Sequence, residues 1–173
     1  SQKIGNGSDR FAMHVKGLEL GGANPILHHD RGLQYAVCDR GGCHHYGLNI
    51  QEQNYRAWAD SLVVCTWHQP FIDIELYLKM INAATGWDLS VDAWNKTAQR
   101  MLILARSYNI REGTKPTEDD ILPRRIHEEP ITRGPKKGSY YPLEKFEKDR
   151  ATWYENIGCD ENGIPTKKIL KEL

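Results

Sequence analysis

At 173 residues the chain can bury one well-formed core, or at most two very small domains sharing one. Lysine plus arginine equals aspartate plus glutamate at 23 each, so no charge excess points to nucleic acid or an anionic membrane as partner. No apolar run approaches the roughly 20 residues of a membrane span, and the polar stretch Ser1 to Asp9 lacks the apolar core of a signal peptide, so a soluble, cytoplasmic protein is expected.

The start at Ser1 fits a cloned or processed fragment. From Phe11 to Val15 the apolar residues alternate (Phe11, Met13, Val15), which predicts one short strand ending before Gly17. After the breakers Gly21-Gly22 and Asn24-Pro25, a short helix is expected over Gly32 to Asp39, closed by Gly41-Gly42 so that Cys43-His44-His45 sits on a loop. A helical pattern from Tyr55 to Trp67 places Trp58, Leu62 and Cys65 on one face. Pro70 then starts a helix to Thr85, with Phe71, Ile74, Leu78 and Ile81 at helical spacing, Asp73 and Glu75 in the first turn and Gly86 after the last.

Ser90 is an N-cap for the next helix, whose buried stripe is predicted as Trp94, Ala98, Met101, Leu102, Ala105 and Tyr108. These two helices should pack as a hairpin. Arg111 to Gly138 holds four prolines and reads as a long loop, of the kind that is functional or wrapped on a partner. Leu143, Phe146, Trp153, Tyr154 and Ile157 describe a last major helix ending at Gly158, and Thr166 caps a short terminal one. The expected fold is all-α, an irregular multi-helical domain with long connecting loops and room for a short N-terminal strand.

Four cysteines, unevenly placed, are too few for a secreted disulfide scaffold, and reduced thiols or metal ligation fit better. Three of the four cysteines and six of the seven histidines fall in the first 68 residues. Thiolate and imidazole are the ligands that soft and borderline metals select, so Cys38, Cys43, His44 and His45, with Cys65 and His68, form a candidate metal set. C-x4-C-H-H lacks the C-x2-C knuckle of a structural zinc site, and Cys38 and Cys159 read more simply as buried small hydrophobes. Asp60 to Cys65 sets a carboxylate and a thiol five residues apart across a helix end, where backbone N–H groups would be free to meet an anion.

Several blocks then share one resemblance. Gly17-Leu18-Glu19-Leu20, Gly32 to Ala36 and Asp39-Arg40-Gly41-Gly42-Cys43-His44 closely resemble a block of the tungsten-containing aldehyde ferredoxin oxidoreductases. Asn82 to Leu89, Tyr108 to Gly113, Asp119 to Pro123 and Asp160 to Thr166 resemble successive landmarks of the same family, so that the likeness spans most of the chain. It implies that residues 1–173 are the C-terminal helical region of such an enzyme, without the N-terminal domain that forms a base for the pterins. The cofactors so implied are tungsten (or molybdenum) held by two pyranopterins, and a [4Fe-4S] cluster. The family motif D-x-x-G-L-C resembles Asp60 to Cys65, which implies pterin contacts at Asp60 and Val64 and a cluster ligand at Cys65. His44 occupies the place of a histidine near tungsten, the implied catalytic residue, where an imidazole can give or take a proton.

This chain departs from the pattern at Val63 and Val64, which replace glycine and leucine, at Tyr46, where a basic residue is common, and in a shorter stretch between His44 and Asp60. The C-x2-C-x3-C group that would supply the other cluster thiolates is absent, so no bound tungsten or cluster is expected in these residues alone. The implied activity is oxidation of an aldehyde to a carboxylic acid with electrons passing to ferredoxin, the missing N-terminal domain being the other partner. The rival readings are a non-catalytic helical interaction module and a small zinc-binding domain.

Overall fold

A computed structural model describes residues 1, 3–67 and 72–173. The expected helix start at Pro70 and Phe71, and His68 of the candidate metal set, lie outside the described residues. The chain is mostly helical, with a two-stranded sheet and eight α-helices among the described residues, and none of these helices is long and apolar enough to cross a membrane.

The predicted strand is shorter than its alternation suggested. Ser8–Phe11 forms a 3-10 turn, and only β1 (His14–Val15) pairs with β2 (Leu18–Glu19). The two-residue turn between them, Lys16-Gly17, has φ +50° and +79°, the left-handed pair whose twist matches that of a tight hairpin. α1 (His29–Val37) starts three residues before the expected Gly32 and gives way to extended backbone at Cys38.

α2 (Ile50–Ser61) begins at Asn49, whose side chain accepts from the Glu52 N–H. It ends well before the expected Trp67. The Val64 N–H donates to the Ala59 carbonyl at 3.0 Å and the Val63 N–H to the Asp60 carbonyl at 3.3 Å, the paired bonds of a Schellman closure, with Val63 left-handed at φ +57°. α3 (Ile74–Thr85) is capped by Asp73, whose carboxylate accepts from Leu76 N–H at 2.7 Å, and closed by left-handed Gly86. Asp73 is therefore the cap rather than a first-turn residue.

Ser90 caps α4 (Val91–Arg111) as expected. The predicted stripe holds for its first half only. Trp94 and Ala98 pack with Tyr55, Trp58 and Ala59 of α2 and Tyr77, Leu78 and Ile81 of α3. Beyond Met101 the buried residues are Ile103 and Arg106, while Tyr108 is exposed. The neighbours change along the roughly 30 Å of this helix. Ile103 belongs to a different cluster, with Tyr154, Ile157, Cys159 and Ile169.

The proline-rich stretch is not wholly irregular, for it contains the single-turn helices α5 (Pro116–Asp119) and α6 (Arg125–Glu128). α7 (Leu143–Asn156) ends at left-handed Gly158, and Thr166 caps α8 (Lys167–Glu172). A further cluster, Val15, Tyr35, Ala36, Leu122, Ile126, Tyr141 and Phe146, joins β1, α1, α6 and α7.

Candidate functional site

The loop that carries His44 leaves α1 at Cys38 and is held by backbone contacts that only glycine allows. A Cβ on Gly41 would lie 2.3 Å from the Val15 carbonyl oxygen, and one on Gly42 would lie 2.5 Å from that of Glu19. The loop therefore lies directly on the β1–β2 hairpin. The Gly21 N–H donates to the Gly42 carbonyl at 3.0 Å, and His44 covers Gly21 so closely that a Cβ there would meet its Nδ1 at 2.6 Å. From α1, Arg31 donates to the His44 carbonyl and the Gln34 amide to the Cys43 carbonyl, both at 2.7 Å. The His44 and His45 side chains are left exposed.

Below the loop lies a buried polar network that nothing in the residue pattern announced. Asp120, 1% exposed, pairs with Lys16 Nζ at 2.6 Å and with Arg106 Nη2 at 2.8 Å. The Tyr154 hydroxyl donates to the same carboxylate at 2.9 Å, and Arg106 Nε donates to the Gly163 carbonyl at 2.7 Å. Lys16 also donates to the Ala36 and Cys38 carbonyls at the exit of α1. Asn109 donates to the Asp39 carbonyl at 3.0 Å, and the Tyr46 hydroxyl to the Asp39 carboxylate at 2.6 Å, closing the loop on itself. Burial raises the Asp39 carboxyl above its usual range, and the Tyr46 bond opposes that shift. Tyr46 thus braces the loop.

The second motif sits at the end of α2. Asp60, Val64 and Cys65 are exposed, together with Val63. The Val63 and Val64 N–H groups close the helix, so these two are not among the backbone donors expected to be free for an anion here. Val63 adopts a left-handed backbone that glycine takes freely, at a cost of about 1–2 kcal/mol for an L-residue. Its side chain is 91% exposed and packs on little. Val63→Gly should therefore raise stability by about 0.5–1 kcal/mol after glycine's own entropy cost, and Tm by a few degrees. Calorimetry checks this, and an unchanged or lower Tm would count against the strain.

One ring contact links the His44 loop to the segment just past Cys65. The His44 and His45 rings lie 3.9 Å apart, and the His45 ring meets Trp67 edge-on at 6.0 Å. Partial burial, then His44, Arg56, Arg40 and Arg31, hold the His45 imidazole below its ordinary pKa. Three arginines thus act on the His45 imidazole, and the Cys65 thiol is free and exposed.

The wider cysteine–histidine constellation is not assembled. Among the described residues no three His, Cys, Asp or Glu side chains are grouped as a metal ion would need. Cys38 points inward, where burial pushes its thiol up to about 12, and Cys159 is pushed up to about 11 for the same reason. Their reading as packing residues holds. Native protein at about pH 8 should therefore be alkylated at Cys65 and Cys43 and spared at Cys38 and Cys159. Folded thiols that keep protons released by unfolded ones near 9.0 stabilise the fold less as pH rises from there toward 11 and 12. Peptide mapping of alkylation sites checks the first statement, and urea melts on either side of about pH 9 check the second.

All 173 residues match the family model described as aldehyde ferredoxin oxidoreductase, domains 2 and 3. The chain belongs to the aldehyde ferredoxin oxidoreductase family. It is 30% identical over 192 residues to the tungsten-containing aldehyde ferredoxin oxidoreductase of Pyrococcus furiosus, covering 96% of this chain and 31% of that protein. The Pyrococcus abyssi protein of the same name is 32% identical, with 97% and 31% covered. A Pyrococcus furiosus protein named aliphatic sulfonate oxidoreductase, WOR-like subunit, is 31% identical, with 95% and 28% covered. The chain thus spans about three tenths of the length of these relatives. For this family member, Lys16, Arg106 and Asp120 are what residue-by-residue reading missed. Asp120 and Gly17 fell inside matched blocks, but a charged residue carries no mark of burial until its partners are known.

Proposed function

We propose that this chain is the C-terminal helical part of a tungsten-pterin oxidoreductase that oxidises an aldehyde. The balanced reaction takes an aldehyde and water to a carboxylic acid, two protons and two electrons, and the electrons leave through a [4Fe-4S] cluster to ferredoxin. The observation that carries this reading is the family match over all 173 residues, and the His45–Trp67 contact, which ties the His44 loop to the segment just past Cys65, supports it.

The residues fit the role of one wall of such a centre. Cys65 offers one exposed thiol, and a [4Fe-4S] cluster needs four ligands, so the others belong to another part of the protein. Asp60 and Val64 flank that thiol and would face the pterin. The tungsten-pterin centre, when bound, supplies oxidation chemistry beyond any side chain here. His44 presents an imidazole whose Nδ1 lies against Gly21, leaving Nε2 to hold or move a proton. The exposed apolar side chains beside the thiol, Val63 and Trp67 (74%), suit a surface covered by the N-terminal domain that the longer relatives have room for.

In the complete protein Cys65→Ser should lower cluster occupancy or shift its potential, because oxygen is a harder ligand than thiolate. Cys38→Ser should leave iron content intact. Iron analysis and the cluster's visible spectrum read the contrast. Wild-type iron and electron transfer in Cys65→Ser would make Cys65 a surface cysteine and sink the assignment.

A further inference from the structure

We propose that the buried Lys16–Asp120–Arg106 set is the positioning device for the loop that presents His44, with Lys16 as its clamp. The proposal rests on the reading of His44 above only for its functional meaning; the positioning itself rests on geometry.

Lys16 stands where a tight hairpin turn favours glycine or asparagine, in left-handed backbone at φ +50°. A lysine tolerating that strain on a hairpin tip ordinarily extends into water. Here it turns inward and is only 14% exposed at its side chain. Its ammonium joins three groups, the carbonyls of Ala36 and Cys38 and the Asp120 carboxylate. Those carbonyls mark the end of α1, where a cation meets the negative end of the helix, and they are the last fixed points before Asp39 begins the loop.

Asp120 in turn is held by Arg106, which Gly163 fixes through its carbonyl. One turn of α4 further on, Asn109 takes the next loop carbonyl, that of Asp39. Three segments far apart in the chain therefore meet at the loop's root. The loop's far side lies on the hairpin that carries Lys16, through Gly41, Gly42 and Gly21. The clamp and the bed are the same hairpin, so a shift of Lys16 moves both supports of His44 together. A buried ion set is weak grounds for stability, since well-packed apolar residues often serve as well, whereas fixing one arrangement is a task that charge geometry performs.

The test uses the full 173-residue chain with Lys16→Met and, separately, Asn109→Ala. Asn109 is half-buried, so that variant folds even where the lysine variant does not. The readout is the imidazole resonances of His44 and His45, which at 3.9 Å shift each other by ring currents. His127, whose ring is tilted against Phe146 at 5.2 Å, is the internal control. Both resonances should move or broaden while that of His127 stays. Alkylation of Cys43 should speed up by about tenfold as local opening becomes easier, with exposed Cys65 unchanged. Wild-type His44 and His45 resonances in both variants, alongside a lowered Tm, would reduce Lys16 to an ordinary core ion pair and overturn the proposal. Displaced resonances together with full turnover of a His44→Asn complete enzyme would uphold the positioning and defeat the catalytic role of His44.

Discussion

Asp120→Ala is expected to cost on the order of 3–5 kcal/mol, because it strands the Lys16 and Arg106 charges in the interior without their shared carboxylate. It also removes the charged acceptor of the Tyr154 hydroxyl. Since a domain's whole stability is about 5–15 kcal/mol, the variant should be near the edge of folding. Urea denaturation followed by circular dichroism measures the loss. Lys16→Met should cost less, because Arg106 and Tyr154 still hold the Oδ2 of the carboxylate and only Oδ1 loses its cation. Equal losses, or a loss under about 1 kcal/mol for Asp120→Ala, would mean that water reaches these charges.

Trp94→Ala is the second large effect, and its origin is shape rather than charge. The Trp94 ring is 1% exposed, stacked on Trp58 at 4.5 Å and met edge-on by Tyr77 at 5.4 Å. Removing it opens a cavity between α2, α3 and α4 that these large rings cannot close, and the expected loss is about 3–5 kcal/mol. The bond from Trp58 Nε1 to the Trp94 carbonyl is to backbone, so it survives the substitution. Leu104→Ala on the same helix, 69% exposed, should change stability by no more than about 0.5 kcal/mol. Comparable losses at the two positions would show that the tryptophan cluster collapses around the gap.

What could be read from the residues followed local chemistry. Ser90 and Thr166 cap as their side chains dictate, Gly86 and Gly158 close helices in the left-handed region, and the spacing of Leu78, Ile81 and Trp94 marks a face that is indeed buried. Legibility stopped where partners decide. The stripe of α4 was extrapolated to Tyr108 because periodicity cannot say that the helix changes neighbours after Met101. The end of α2 was missed because valine is a poor left-handed residue, and only tertiary context holds Val63 there. In the site, His44, Asp60 and Cys65 were each conspicuous singly or by resemblance. The His45–Trp67 contact and the charges beneath the loop depend on segments that no local pattern links, such as Arg106 and Gly163, 57 residues apart.

α4 enters the tryptophan cluster with Trp94, the α7–α8 cluster with Ile103, and the loop's root through Arg106 and Asn109. A rod shared by all these regions forbids any of them from melting as a separate unit. Amide protons in the middle of α4 should exchange with deuterium only through the global opening. Those near Phe11, on an exposed turn without buried residues, should exchange within the dead time. The molecule then behaves as one cooperative block with a loose leading edge, and the histidine loop, rooted on the rod, inherits the slow clock of the block.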